Sequence, residues 1–342
     1  MAETGKHFKI LCIDGGGIKG LFSARVLDVF EEHFGTICSD HFDLICGTST
    51  GGIIALGASL KIPMNEIATF YETEGPKIFY SPLKKMGKFG DKLLLYKQAI
   101  VKSRYRSTRL EQSLQDVFGN RKIGESSNLL CIPAYNLTEG KPRIFKKDYD
   151  SFGADDQKLY VDVALATSAA PTYFPIKEIN DTFYVDGGVF ANNPILLGIT
   201  EYLYKWSQKG YSGVDILSVS SCQKVMGESP SKLNRSFRGW KESLFDCFSN
   251  GQLMITDTFL QKLIDSEMLS FDLNIVRVSN DPIAGSQEKL VSIDNASIDS
   301  LRLYNSKAKS IANVYTQKPE IRKFFQEMKS IDPMKHKNNS VD

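Results

Sequence analysis

Gly47-Thr-Ser49-Thr-Gly51 sets a serine between two glycines, after the apolar run Phe42 to Cys46 and before the small-residue run Ile53 to Leu60. This is the G-x-S-x-G pattern of a nucleophile elbow, a sharp strand-to-helix turn that projects the serine hydroxyl at the top of a sheet. The helix that follows aims its first amides, that of Thr50 among them, at the same point. A serine needs a base, and the four histidines offer little: His7, His33 and His41 precede the elbow and His336 lies near the chain end. Ser, acid, His is the chain order of α/β-hydrolases, which this arrangement contradicts. His41 also sits at the incoming end of the strand that carries Ser49. By elimination the base is expected to be a carboxylate. Asp186-Gly187-Gly188 ends the apolar run Thr182 to Val185, and ligand sites gather at the carboxyl ends of strands in parallel sheets. The competing explanation is a simple turn aspartate. At its ordinary pKa of about 3.9 an aspartate is a poor base for a hydroxyl, so Asp186 can work only in a desolvated pocket.

Asp14-Gly15-Gly16-Gly17-Ile18-Lys19-Gly20 stands between the strand-like Phe8 to Ile13 and the helix-period run Leu21 to Phe34. Its backbone amides are placed to cradle an anion, which for acyl transfer is the tetrahedral oxyanion. Gly15, Gly17 and Gly20 also spell the dinucleotide fingerprint, which wants an acid about 20 residues on at the end of the next strand. Asp40 and Asp43 have that spacing but lie before and at the start of that strand, out of reach of a ribose. The six cysteines form no CxxC pair, so neither a zinc site nor a disulfide framework is expected, and no metal.

Together these segments resemble the patatin-like phospholipases, and the resemblance runs to about Val219. It rests on the Asp14 to Gly20 loop, the Gly47 to Gly51 elbow, Asp186-Gly-Gly188, Thr167-Ser-Ala-Ala-Pro-Thr-Tyr-Phe174 and the continuation to Asn193-Pro194. It implies a Ser49–Asp186 dyad without catalytic histidine, metal or cofactor, and an oxyanion hole of Gly15, Gly16, Gly17 and Thr50. Gly20, Gly47, Gly51, Gly187 and Gly188 are the family's motif glycines. The expected reaction is fatty-acid release from membrane glycerophospholipids through an acyl-enzyme. Constitutive acyl transfer or esterase activity, and a silent lipid- or nucleotide-binding protein, are the alternatives. The chain departs from the family at Lys19, where arginine is frequent, and at Ser220 to Lys224, where relatives carry a Gly-Thr-Gly turn.

The elements that must position these residues alternate strand and helix. Two strand-turn-helix units fill the first sixty residues, Asn128 to Leu137 and Pro142 to Lys147 read as paired strands, and Leu159 to Ala169 as a helix. Strands follow at Thr182 to Val185, Asp215 to Val219 and Leu273 to Val278. Helices are expected at Met64 to Tyr80 with a break at Gly75-Pro76, Thr108 to Phe118, Ile195 to Trp206, Phe237 to Phe248, Gln252 to Met268, Ala296 to Tyr315 and Pro319 to Met328. The pattern predicts one three-layer α/β domain over residues 1–330, with a mostly parallel central sheet flanked by helices and a frayed tail at 331–342.

The 342 residues are 42% hydrophobic with a formal net charge of +2, an ordinary globular profile that lacks the field of a DNA or RNA duplex binder. Neither a secretion signal nor a membrane span is visible, so the expected place is the cytoplasm, peripheral to the inner face of the membrane. The excess charge is local. From Lys77 to Arg109 ten basic residues face the single acid Asp91, with aromatic and aliphatic residues between them. Lys84, Lys85, Lys88, Lys92, Lys97, Lys102, Arg104 and Arg106 are the candidate patch, a cap leaning on an anionic phospholipid surface. Lys224 to Lys241 adds five basic residues against Glu228. The alternative ligand is phosphorylated: the family includes small bacterial effectors of anti-phage signalling that cyclic oligonucleotides switch on. Self-association into a homo-oligomer is left open.

Overall fold

In the computed structural model, residues 5–80, 103–149, 155–224, 234, 240, 242–266 and 268–333 are described. The first half runs β1 (His7–Ile13), α1 (Gly20–Phe34), β2 (Leu44–Gly47), α2 (Thr50–Ser59), α3 (Met64–Ile78), α4 (Ser107–Phe118), β3 (Leu129–Asn136), β4 (Lys141–Phe145) and α5 (Tyr160–Thr167). The second half continues with β5 (Lys177–Ile179), β6 (Thr182–Asp186), α6 (Gly188–Ala191), α7 (Ile195–Glu201), β7 (Gly213–Val219), α8 (Glu242–Asp265), β8 (Asp272–Val278), α9 (Ile298–Thr316) and α10 (Pro319–Gln326).

The strands form one sheet in the order β5-β6-β3-β2-β1-β7-β8, with β4 also paired to β3. The β3-β2-β1-β7-β8 core is parallel. Both faces are covered, so β1, β2 and β7 are buried along nearly their whole length instead of alternating. Leu11 and Ile13 of β1 point into a core shared with Leu21, Phe22 and Leu27 of α1, Ile54 of α2 and Tyr304 of α9. Phe8, Ile10 and Cys12 point the other way, onto Ile195 and Ile199 of α7, onto Tyr202 and Trp206 just after it, and onto Leu260 of α8. The expected three-layer architecture results.

Several element boundaries differ from the sequence expectation. α3 passes through Gly75-Pro76 without a break, because a proline in the last turn forfeits a single hydrogen bond while Gly75 admits the Ile18 side chain to close contact. The two helices expected around Ser249-Asn-Gly251 are the one helix α8; the packing of Leu260 and Thr256 overrides weak local propensity. Ile331, expected to open a frayed tail, is buried, and its amide donates to Asp43 Oδ1 at 2.8 Å. Residues from 334 onward lie outside the described residues. Among the described residues no helix is long and apolar enough to cross a membrane.

The route by which Asp186 arrives also differs. β6 is antiparallel to its neighbours β3 and β5, so Asp186 does not end a parallel strand. β3 outruns β2: Leu129 to Cys131 pair with β2, and the extension pairs with β4 and β6. β6 therefore enters above the end of β2 and stops with Asp186 opposite Ala134. The residue reaches the carboxyl end of the sheet from the reverse direction.

Candidate active site

Ser49 sits between β2 and α2 with φ 56° and ψ −122°. This is a region that side chains other than glycine avoid, and such strain persists only where the surroundings enforce it. Here they do. A Cβ on Gly47 would stand 2.1 Å from the Gly51 carbonyl oxygen, and one on Gly51 would stand 2.3 Å from that of Ile13, so strand and helix close on each other with no room to spare. The Ser49 amide donates to Thr167 Oγ1 at 3.0 Å, and Thr167 in turn donates to the Pro133 carbonyl at 2.6 Å. Thr167 lies in one of the stretches that resemble the family, but its bracing of the elbow emerges only from the geometry.

The Ser49 hydroxyl donates to Asp186 Oδ2 at 2.6 Å, and the Gly188 amide donates to Oδ1 at 2.7 Å. Asp186 is 3% exposed. Burial lifts its pKa to about 6, against the opposing pull of the hydrogen bonds from Ser49 and Gly188. The candidate nucleophile and the candidate base are thus in contact, and the carboxylate is desolvated as a base for a hydroxyl would have to be. His7 pairs with Asp215 at the start of β1, while His41 bonds Thr36 and the Glu327 carbonyl at the opposite end of β2. His33 stacks edge-on against Phe34 at the end of α1, and His336 lies outside the described residues. Among the described residues no group of three His, Cys, Asp or Glu side chains is arranged to hold a metal ion.

The Gly15 to Gly17 loop faces Ser49, with one change from expectation. The Gly15 amide donates to the Asn192 carbonyl at 3.0 Å, and the Gly15 carbonyl accepts from Ser221 Oγ at 3.0 Å. Gly15 therefore anchors the loop, and its N–H is taken. Among the described residues no hydrogen bond involves the amides of Gly16 and Gly17, which border the cleft together with Thr50. Gly17 has φ +60°, and a Cβ there would lie 2.1 Å from the Ile293 carbonyl oxygen. The Thr50 hydroxyl donates to Tyr71 Oη at 2.5 Å, which fixes the first turn of α2.

Asp14, fully buried beneath this loop, receives both arms of Arg277, at 2.9 Å and 2.5 Å. Arg277 also donates to Ser218 Oγ at 2.6 Å. Arg277 was missed by the sequence reading, although its one signal was present: a lone charge in the apolar strand Leu273 to Val278.

The cleft around Ser49 is lined by the apolar residues Ile53, Phe70, Ile78, Phe79, Phe174 and Leu253. Polar residues, Lys19, Gln223, Lys224 and Asp246, line it as well. Such a cleft suits an acyl chain joined to a polar head. Of the candidate basic patch, Lys84, Lys85, Lys88, Lys92, Lys97 and Lys102 lie outside the described residues. Arg106 is exposed. Arg104 is not: its side chain is 10% exposed and pairs with Asp294 at 3.3 Å, because Tyr105 beside it is drawn into the core.

The family model of patatin-like phospholipases matches residues 11–199. A cGAMP-activated phospholipase of Pseudomonas aeruginosa is 32% identical over 272 residues, 78% of each chain. Another from Escherichia coli is 28% identical over 93% of this chain and 92% of its own. Human GIVD cytosolic phospholipase A2 superposes with a TM-score of 0.41 at 10% identity, over 94% of this chain and 60% of that one. The matched stretch takes in the glycine loop, the elbow and the strand that delivers Asp186, and so the chain belongs to the patatin-like phospholipase family of lipid ester hydrolases.

Proposed function

We propose that this protein releases fatty acids from membrane glycerophospholipids with Ser49 as nucleophile and Asp186 as its base, and that cGAMP or a close cyclic dinucleotide switches it on. The observation that carries the first half is the 2.6 Å contact between Ser49 Oγ and a buried Asp186 at the head of an apolar cleft. Ser49 Oγ attacks the ester carbonyl carbon while its proton passes to Asp186 Oδ2. The oxyanion faces the amides of Gly16, Gly17 and Thr50, worth on the order of 10²-fold or more per donor. Collapse expels the lysophospholipid alkoxide, which takes the proton from Asp186. Water then attacks the acyl-Ser49 ester, gives a proton to Asp186 and releases the fatty acid as Ser49 recovers its own.

The relatives from Pseudomonas aeruginosa and Escherichia coli carry cGAMP activation in their names, which supports the same activator here and the anti-phage role that the family resemblance implies. The bilayer is the substrate's home, and α8 has the face to meet it. Leu253 lines the cleft, while Phe248, Met254, Ile255 and Phe259 of the same helix are more than half exposed. In the sequence, the basic stretch Lys224 to Lys241 immediately precedes this helix, with charge of the sign that suits an anionic surface. The test is fatty-acid release from vesicles containing phosphatidylglycerol, by the wild type and Ser49→Ala, each with and without cGAMP. Release by wild type with cGAMP and none by Ser49→Ala is expected. Release by Ser49→Ala would overturn the nucleophile, and a wild-type rate indifferent to cGAMP would overturn the switch.

A further inference from the structure

Arg104 and Tyr105 lie near the end of the basic stretch Lys77 to Arg109, yet both side chains turn inward to one carboxylate. Tyr105 Oη donates to Asp294 Oδ2 at 2.5 Å, and Arg104 Nη1 lies 3.3 Å from the same oxygen. Ser292 Oγ donates to Oδ1 at 3.1 Å. Asp294 is 4% exposed. A charge held this far from water is tolerable only while its donors stay in place, so the cluster resists rearrangement.

Each side of this cluster leads to the active site. The amides of Arg104 and Tyr105 donate at 2.8 Å to the carbonyls of Thr172 and Tyr173, and Tyr173 and Phe174 line the cleft. On the other side Ile293, the residue before Asp294, accepts a hydrogen bond from the Ile18 amide at 2.9 Å. Its carbonyl is the atom against which Gly17 packs too closely for any side chain. Where Ile293 stands therefore decides where Gly17 and Ile18 stand, and with them the direction of the Gly16 and Gly17 amides.

We propose that Asp294 is a positioning residue for the oxyanion loop, through which the end of the basic stretch at Arg104 and Tyr105 is coupled to the catalytic serine. It touches no substrate. The inference rests on the reading of Gly16 and Gly17 as oxyanion donors. Weakening the cluster tilts these amides away from the developing charge, so turnover falls while binding of the ester ground state stays the same.

The test uses Asp294→Asn and Tyr105→Phe with p-nitrophenyl butyrate, a soluble ester that needs no bilayer, with cGAMP in every assay. Rates are taken per folded molecule, from the unfolding transition of each variant. The expected result is a kcat loss on the order of 10²-fold in Asp294→Asn, a smaller loss in Tyr105→Phe, and KM within about twofold of wild type in both. Should Asp294→Asn fail to fold, Tyr105→Phe, which keeps the carboxylate and Arg104, carries the test. Wild-type kcat in folded variants, even with a lowered melting temperature, would make the cluster merely structural and overturn the proposal. Ser49→Ala runs alongside: activity there means that the dyad reading itself has failed, whereas a dead Ser49→Ala beside a fully active Asp294→Asn removes only the role of Asp294.

Discussion

An aspartate with its usual acidity would accept a serine proton poorly; Asp186 differs because the fold strips water from it and leaves two hydrogen bonds in exchange. With its pKa lifted to about 6, kcat/KM on a soluble ester is expected to rise with pH through about 6 and level off above, since only the ionised carboxylate can take the proton. A flat profile from pH 5 to 8 would contradict this. The stability consequence has the opposite sign. A folded pKa above the ordinary value of 3.8 means that the carboxyl contributes fully below about pH 4 and that this contribution is lost as pH rises through 6. Asp186→Asn is therefore expected to be more stable than wild type at pH 8, by about 2–3 kcal/mol, with the gap closing toward pH 4 in denaturant titrations. The need for a desolvated pocket was legible in the sequence once the histidines had been eliminated. The pocket itself was not, because the neighbours of this turn come from elsewhere in the chain: the Ala169 carbonyl accepts from the Asp186 amide, the Thr167 carbonyl accepts from the Gly187 amide, and Pro133 packs against Gly187.

At the level of elements, the elbow and the glycine loop were legible because each is a short glycine-rich turn between an apolar strand and a helix, although the neighbour that demands Gly17, Ile293, lies far away in the chain. Gly51→Ala would push a methyl carbon to 2.3 Å from the Ile13 carbonyl oxygen, and is expected to cost more than about 2 kcal/mol of stability as well as activity. Gly251→Ala in α8 meets nothing within 4 Å, and is expected to stabilise by about 0.5–1 kcal/mol through helix propensity. Thermal unfolding of the two variants checks both signs. What could not be read was direction and partnership. The apolar run Thr182 to Val185 looks the same whether its strand is parallel or antiparallel, and only the overlong β3 decides it. Arg277 reaches Asp14 across 263 positions of sequence, a pairing that no local pattern announces.

Across the whole molecule, residues beyond the matched stretch finish the site as well as the core. α9 packs on α1 and closes one face of the sheet, while Arg277 and Ile293 bond to the glycine loop at Asp14 and Ile18. Charge segregation was legible as a count along the chain, but the inward turn of Arg104 was not, since a basic side chain in a basic run gives no hint of a buried acid such as Asp294. The outer face of α8 was equally hidden, because its apolar residues look like core until the neighbours are known. Ile255→Asp with Phe259→Asp is expected to reduce cosedimentation with phosphatidylglycerol vesicles and fatty-acid release from them at least tenfold, while turnover of a soluble ester stays at the wild-type level. Unchanged vesicle binding would remove α8 from the membrane face.

The central claim is the dyad, and the most direct measurement is the rate at which a fluorophosphonate labels the protein in the presence of cGAMP, with the modified residue located by mass spectrometry. A single adduct on Ser49 is expected, formed in wild type with a pH dependence centred near 6 and slowed in Asp186→Asn by about 10²–10⁴-fold. Labelling at another residue, or Asp186→Asn reacting as fast as wild type, would contradict it.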